Sequence, residues 1–471
     1  MKDQVGALTG PQIFGLLLAP SLIVLAFILP EAEGLTRNGM LSTAILLAAL
    51  ILLLSDSIPY ALAALFGLAM LLVLGISTPG QAFFGFSNHI IYFILMSSVI
   101  SHALVVSNLS KRMLCAILRK FGTSVEAAIV GIMICTGILS AITTNVATVL
   151  IFLPLALDFL AVYDNEEDRK RTGRALMIAL PIATGLGCAA TPAGSALHLV
   201  MLGQLEMLTG LTVPFFNWMV IGVPWVIFTL PIGILAVIKL NKPAPLSREK
   251  LDAFIKQLSD SNSKKMSFKE KYVLVVVLVI LGLWILSTWL PRFHITAVAI
   301  FGTILLIVPG FDGLKWKEIE PTLPWTIVFM IGSFISMTHA FIFTGAAGWV
   351  TGHIIPATIY VSVITISLFV ALIVFIMLVL IPQQTALIPV MSIPVIALAV
   401  AAGVSPVALM MVMAFTLSTT YVLPYSSVPL LTYIKGYYTK GDLARTSIPI
   451  QLWVGIITAL WVPFMVRTLG M

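Results

Sequence analysis

Charge is scarce in this sequence. Only 10% of its 471 residues are Asp, Glu, Lys or Arg, while 60% are hydrophobic. A soluble domain carries about 25% charged residues, so an ordinary water-facing surface is excluded. Cysteine is scarcer still: Cys115, Cys135 and Cys188 sit in or beside apolar segments without metal-ligand spacing, and they read as packed small residues with no disulfide expected. There is no Gly-x-x-x-x-Gly-Lys-Ser/Thr loop, which excludes ATP-driven work by this chain alone. Nucleophile–base pairs and His/carboxylate clusters are missing at matched depth, which argues against an enzyme of the membrane. The net charge of +7 is accounted for by the sidedness of the loops, and no nucleic-acid partner is expected.

Apolar runs are what the sequence has in abundance. A crossing of the ~30 Å hydrocarbon core takes about 20 residues. Runs near 11–30, 39–55, 58–76, 88–106, 174–204, 213–239, 272–290, 294–309, 322–343, 405–434 and 446–466 read as eleven crossings. The first, from Ile13 to Leu29, lacks a basic leading segment and reads as a span, not a cleaved leader. Two further runs, 124–160 and 357–402, are too long for one crossing and are interrupted midway by polar residues. Each fits a re-entrant hairpin whose tip faces a water-filled cavity, because lipid cannot satisfy an exposed backbone. The fold class is therefore an all-α polytopic membrane protein with about eleven transmembrane helices and two re-entrant hairpins.

The basic residues give an independent check on this map. With the N-terminus inside, the inner loops hold Lys111, Arg112, Arg119 and Lys120; Arg169 to Arg174; nine more from Lys239 to Lys271; Lys315 and Lys317; and Lys435, Lys440 and Arg445. Arg37, Arg292 and Arg467 alone fall outside. That bias places the chain in the inner cell membrane with a cytoplasmic N-terminus and an external C-terminus.

The polar stretch around Pro243 to Glu270 divides the sequence into an extra span (1–38), a first repeat (39–239), a connector (240–271) and a second repeat (272–471). Ser98-Val99-Ile100-Ser101 followed by His102-Ala103 recurs as Ser333-Phe334-Ile335-Ser336 followed by His339-Ala340. A hairpin and a broken span follow in each half. The two halves begin on opposite sides, which is an inverted repeat.

The hairpin tips are Ile142-Thr143-Thr144-Asn145-Val146-Ala147-Thr148 and Leu380-Ile381-Pro382-Gln383-Gln384-Thr385-Ala386. The broken spans carry Gly185 to Ser195 and Leu423 to Pro429. Asp158 aside, ionisable residues are hardly present at membrane depth, so an anion must be held by positive half-helix ends and by Thr143, Thr144, Asn145, Gln384 and Thr385. Half-helix carbonyl ends suit a hard cation such as sodium. The plain alternative is a Pro/Asn kink between packed helices. His198, just past the first broken loop, reads as a packed donor, with a positive charge in sodium's place as the sharper alternative.

These residues resemble the divalent anion/sodium symporters of the di/tricarboxylate transporter type, whose tips carry Ser-Asn-Thr and whose broken helices carry Thr-Pro-Pro-Asn. Thr144-Asn145-Val146-Ala147-Thr148 with Pro154 looks like the first tip, and Thr191-Pro192-Ala193-Gly194 like the first loop. Leu423-Pro424 through Ser427-Val428-Pro429-Leu430, then Gly436-Tyr437-Tyr438 and Gly441-Asp442, is similar to the second loop and its tail. The resemblance implies a homodimeric elevator-type secondary transporter of small organic anions, with inorganic oxyanion permeases such as those for arsenite or sulfate as the runner-up and a channel as the remote alternative. It places substrate at Thr144, Asn145, Val146, Thr191, Pro192, Gln384, Thr385 and Ser427, and a coupling sodium at Thr143, Asn145, Ala190, Gln383 and Ser426. Departures weaken the sodium expectation: Gln383-Gln384-Thr385 replaces the second Ser-Asn-Thr, Val146 removes a hydroxyl, and Gly194 and Leu430 replace the loop asparagines. Weak sodium dependence or anion exchange is the expected consequence.

Overall fold

The computed structural model describes residues 9–121, 124–261, 265–308, 314–354, 360–380 and 384–471, and these residues contain helices and no strand. In chain order come α1 (Gly10–Ile28), α2 (Arg37–Leu54), α3 (Tyr60–Val73), a short α4 (Pro79–Ala82) and α5 (His89–Val106). The amphipathic α6 (Leu109–Phe121) leads into a hairpin of α7 (Val125–Ser140) and α8 (Asn145–Leu160). α9 (Glu166–Cys188) and α10 (Ala196–Thr209) form one crossing broken by a 3-10 turn, Pro192–Gly194, and α11 (Phe215–Asn241) closes the series. α12 (Arg248–Ser261) lies in the polar connector.

The same order then runs again: α13 (Phe268–Leu286), α14 (Ile295–Ile307), a short α15 (Trp316–Ile319), α16 (Trp325–Phe343) and α17 (Ala346–Ile354). A hairpin of α18 (Val363–Leu380) and α19 (Gln384–Ala401), a broken pair α20 (Pro406–Thr419) and α21 (Ser427–Tyr433), and α22 (Lys440–Thr468) complete it. Counting each broken pair as one, the described helices form eleven units and two hairpins in the order of the apolar runs, and six of the helices are long and apolar enough to cross a membrane. Ile381, Pro382 and Gln383 of the second tip lie outside the described residues.

Two helices start earlier than hydropathy implies. The run read from 174 belongs to a helix beginning at Glu166, where Asn165 Oδ1 accepts from the Glu167 N–H at 2.9 Å and Glu166, Glu167 and Asp168 favour the positive helix end. The run read from 446 belongs to a helix beginning at Lys440, capped by a reciprocal Thr439/Asp442 box. A well-capped helix continues through charges that a hydropathy window rejects.

Packing sorts the helices into two groups. α1 packs on α2, α3 on α16, α5 on α14 and α13 on α14. In the other group α7 and α8 pack on α9, α11 runs along α22, α18 lies on α20 and α22, and α10 lies on α19 and α20. The hairpins and broken pairs of both series thus interleave in one body, while α5, α16 and α2 form the wall it leans on through α8, α10 and α19.

At the polar end of the wall group, Arg112 on α6 forms a bidentate pair with Glu270 in the first turn of α13, Nε to Oε1 at 3.2 Å and Nη2 to Oε2 at 3.1 Å. The two side chains are 23% and 6% exposed. Burial pushes the Glu270 carboxyl up, but hydrogen bonds from Arg112 and the Ser267 N–H, with the Arg112 charge, outweigh it and hold the group below the usual carboxylate range. Stability from a lowered carboxyl is present above the unfolded value of about 4.3 and is lost as pH falls through the folded value. Glu270→Gln should cost about 1–3 kcal/mol at pH 7 and should flatten the loss of thermal stability between about pH 5 and pH 3. Tryptophan-fluorescence unfolding across that range checks both, and an unchanged acid profile in Glu270→Gln refutes the assignment.

Candidate functional site

An interrupted helix inside a membrane must find partners for its open backbone ends. Here the four interruptions meet. Thr144, Asn145 and Val146 of the first tip, Gln384 and Thr385 of the second, and Ser427 of the second broken pair line one cavity of about 420 Å³. Ser195, at the start of α10, joins them. The wall group contributes Ser98, Ser101 and His102 from α5, and Thr322 and Pro324 just before α16. Neither Lys nor Arg occurs among these lining residues.

The first tip is held from several sides. Thr144 N–H donates to Ser101 Oγ at 3.0 Å, tying the tip to α5. Asn145 Nδ2 donates to Tyr421 Oη at 3.3 Å and reaches Cys188 Sγ at 3.7 Å. Ser140 Oγ bridges Thr184 O at 2.8 Å and Asn145 Oδ1 at 3.1 Å. Asn145 therefore joins the hairpin, the first broken pair and the second broken pair. The Thr144 hydroxyl makes no cap bond, which leaves the first-turn N–H groups of α8 open to a ligand.

Other residues singled out by motif take different places. Thr191 is 5% exposed and its hydroxyl donates to Ala141 O at 2.5 Å, so it ties the broken loop to the hairpin. Thr191 and Ala190 face a separate apolar groove between α7, α11 and α13, and Pro192 is buried. Thr143 is fully buried, donating to Leu139 O at 2.9 Å and paired with Thr148 Oγ1 at 2.5 Å. Ser426 lines a small void beside Gln384 and Thr420. Gln383 lies outside the described residues. His198 is fully buried, with Nδ1 3.4 Å from Thr191 O and its ring against Trp218 and Phe415, which fits the packed reading.

Tyr421 and Ser140 are contacts that the motifs do not reveal, and Ser101, part of the repeated Ser-x-x-Ser, gains its role from the docked tip. Tyr421 is 1% exposed, and Gly185 makes room for its ring: a Cβ there would lie 2.5 Å from Tyr421 Cε2.

Oxygen donors for a cation gather behind the first tip. The carbonyls of Ser140 and Cys188 converge on Gly194, where a Cβ would stand 2.7 and 2.3 Å from them. Asn145 Oδ1 accepts from the neighbouring Ser140 hydroxyl. This chemistry suits a hard cation such as sodium.

The arrangement has known relatives. A family model described as a citrate transporter matches residues 50–416. The sodium-dependent dicarboxylate transporter SdcS of Staphylococcus saprophyticus is 28% identical over 483 residues, covering 97% of this chain and 91% of that protein. SdcS of Staphylococcus aureus strain USA300 is 27% identical over 480 residues, with 95% and 89% covered. Among solved structures, the fold is shared with MtrF of Neisseria gonorrhoeae, TM-score 0.58 at 13% identity, covering 98% of this chain and 95% of that one. It is shared too with the YdaH transporter of Alcanivorax borkumensis, TM-score 0.56 at 14% identity, with 98% and 99% covered.

The first tip depends on a bare backbone contact. A Cβ on Gly187 would lie 2.3 Å from Gly137 O and 2.4 Å from Gly137 Cα, so α9 meets α7 glycine against glycine. Gly187→Ala should destabilise the folded protein by about 1–3 kcal/mol. Gly80→Ala, at a position with nothing within 4 Å of the added carbon, should be nearly neutral. Thermal unfolding of the two variants side by side checks this, and equal melting temperatures would refute the close contact.

Proposed function

The chain belongs to the citrate transporter family, and from that premise we propose that it is a secondary active transporter of di- and tricarboxylates working by elevator-type alternating access. The observation that carries this reading is the convergence of helix starts on one cavity. The first residues of α8, α10, α19 and α21 all line it. Each full half-helix end contributes roughly +0.5 charge, so α8, α10 and α19 together supply about +1.5 without any basic side chain. That field suits a dianion better than a monoanion, and open N–H groups with Thr144, Asn145, Thr385 and Ser427 suit carboxylate oxygens. A cavity of about 420 Å³ has room for a two-carboxylate ligand beyond what a single tetrahedral oxyanion fills.

The relatives named sodium-dependent dicarboxylate transporter support sodium as the coupling ion. Among the described residues, the Ser140 and Cys188 carbonyls beside Gly194 are oxygens that fit it. When bound, sodium would neutralise part of the substrate's charge; the chain's own residues orient the carboxylates and exclude lipid.

The two packing groups support the motion. The body of hairpins and broken pairs carries the site, and α1–α3, α5, α13, α14 and α16 form the scaffold through which two copies would dimerise. The cavity lies by Thr322 and Pro324 and toward the C-terminal part of α5, the side of Lys315, Lys317 and Lys111. By the positive-inside rule that side is cytoplasmic, which makes this an inward-facing arrangement with the N-terminus inside.

Uptake of labelled succinate and citrate into proteoliposomes, with and without an inward sodium gradient, tests the reading. Asn145→Ala should abolish uptake with expression intact, since it removes ligand contacts worth about 1–3 kcal/mol, and Thr144→Ala should be milder. Wild-type kinetics in Asn145→Ala would remove the first tip from the site. A cysteine at Thr144 should change the side from which it is labelled as ligand and gradient are varied, and labelling from one side under all conditions would refute alternating access through this tip.

A further inference from the structure

The two halves end their broken helices in different ways. A helix C-terminus leaves its last carbonyls without intrahelical donors, and inside a membrane these need a cation, water or side-chain donors. At the end of α9 and the first tip, Trp218 Nε1 donates to Ala189 O at 3.0 Å and the Thr191 hydroxyl to Ala141 O, while the carbonyls of Ser140 and Cys188 beside Gly194 meet no side-chain donor among the described residues. At the corresponding end of α20 the converging groups are N–H donors. Gln384 Nε2 donates to Leu417 O at 2.8 Å and to Thr420 O at 3.5 Å. Gln451 Nε2, from α22, donates to Thr419 O at 2.5 Å, while its Oε1 accepts from Thr420 Oγ1 at 3.1 Å.

The orientation of both amides is fixed by chemistry. Turning Gln384 over would set its carbonyl oxygen against two other carbonyls, and turning Gln451 over would set its oxygen against Thr419 O. Thr419, Thr420 and Gln451 are at most 7% exposed, so solvent does not compete for these carbonyls. The void left between Gln384, Thr420 and Ser426 is about 10 Å³, at the lower limit for one water. An N–H directed at the same oxygens repels a cation.

We propose that no coupling cation sits at the end of α20: the amides of Gln384 and Gln451 occupy its place, and among the described residues the carbonyls left for sodium are those of Ser140 and Cys188 in the first half. The proposal rests on the sodium coupling argued above, and it explains why a glutamine stands at the second tip. A neutral amide completes the same carbonyls that a cation would. The end of α20 then adds no sodium requirement of its own.

The test uses purified full-length protein and reads thermal stability against sodium concentration, with choline holding ionic strength constant. Wild type should be stabilised along a curve with a Hill coefficient of about 1. Gln384→Glu sets a carboxylate against Leu417 O and Thr420 O; it should lower the melting temperature without sodium and gain a further sodium-specific rise of about 5 °C. Gln451→Glu repeats the test at the other amide if Gln384→Glu does not fold. A wild-type Hill coefficient near 2, or two glutamate variants whose sodium response matches wild type, overturns the proposal. A wild type with no sodium response beside a Gln384→Glu variant that gains one supports the filled second site and instead refutes sodium coupling, so the two readings fail separately.

Discussion

The constraint on which this structure depends is that backbone polar groups in a hydrocarbon interior must be satisfied by the protein itself. A continuous helix meets it alone; an interrupted one cannot. Four interruptions therefore cannot be scattered, and here the first tip and both broken spans are completed by other elements. Trp218 Nε1 on α11 donates to Ala189 O at 3.0 Å, the Thr191 hydroxyl to Ala141 O, Gln384 to the end of α20, and Thr144 N–H finds Ser101. The interleaving of the two series follows from this mutual completion. What it leaves over is a set of helix starts facing a shared cavity, so the electrostatics of anion binding are a by-product of the same requirement.

Much of the architecture is legible in the sequence because a membrane allows so few alternatives. Run lengths give crossings, and over-long runs with a polar middle give hairpins. The site is legible where polar residues interrupt apolar runs, as at Thr144, Asn145, Gln384, Thr385 and Ser427, which the fold brings to one cavity. It is not legible where the signal is tertiary. Tyr421 reads as one more aromatic in an apolar stretch, and only the space above Gly185 turns its hydroxyl toward Asn145. Ser101 reads as one end of a repeated Ser-x-x-Ser, and its part in the site shows only when the docked tip presents an N–H to it. Thr191 and Pro192 show the converse: the motif marks the loop, but the fold uses the threonine hydroxyl to hold the hairpin's end.

Small residues make these tertiary contacts possible. Gly187 against Gly137 lets two backbones touch, and a Cβ on Gly222 would lie 2.2 Å from Ala189 O, so α11 also approaches the broken end with nothing between. Such contacts gain nothing from burial of large side chains. They gain from dispersion and from closeness to open carbonyls, which is where a membrane protein finds its packing energy.

The asymmetry between the halves bears on energetics. Under the proposed stoichiometry a dicarboxylate dianion crosses with one sodium, and the loaded carrier moves one net negative charge. Each elementary charge moved through 100 mV is worth about 2.3 kcal/mol, and an inside-negative potential opposes inward movement of that charge. A fully ionised tricarboxylate would face twice the opposition. One sodium gradient of ordinary size is then partly spent against the electrical term, so net accumulation is shallow, whereas exchange of an incoming for an outgoing anion of equal charge avoids the term altogether. A filled second site therefore does more than lower sodium dependence: it shifts the same alternating machine from concentrating its substrate toward swapping one anion for another.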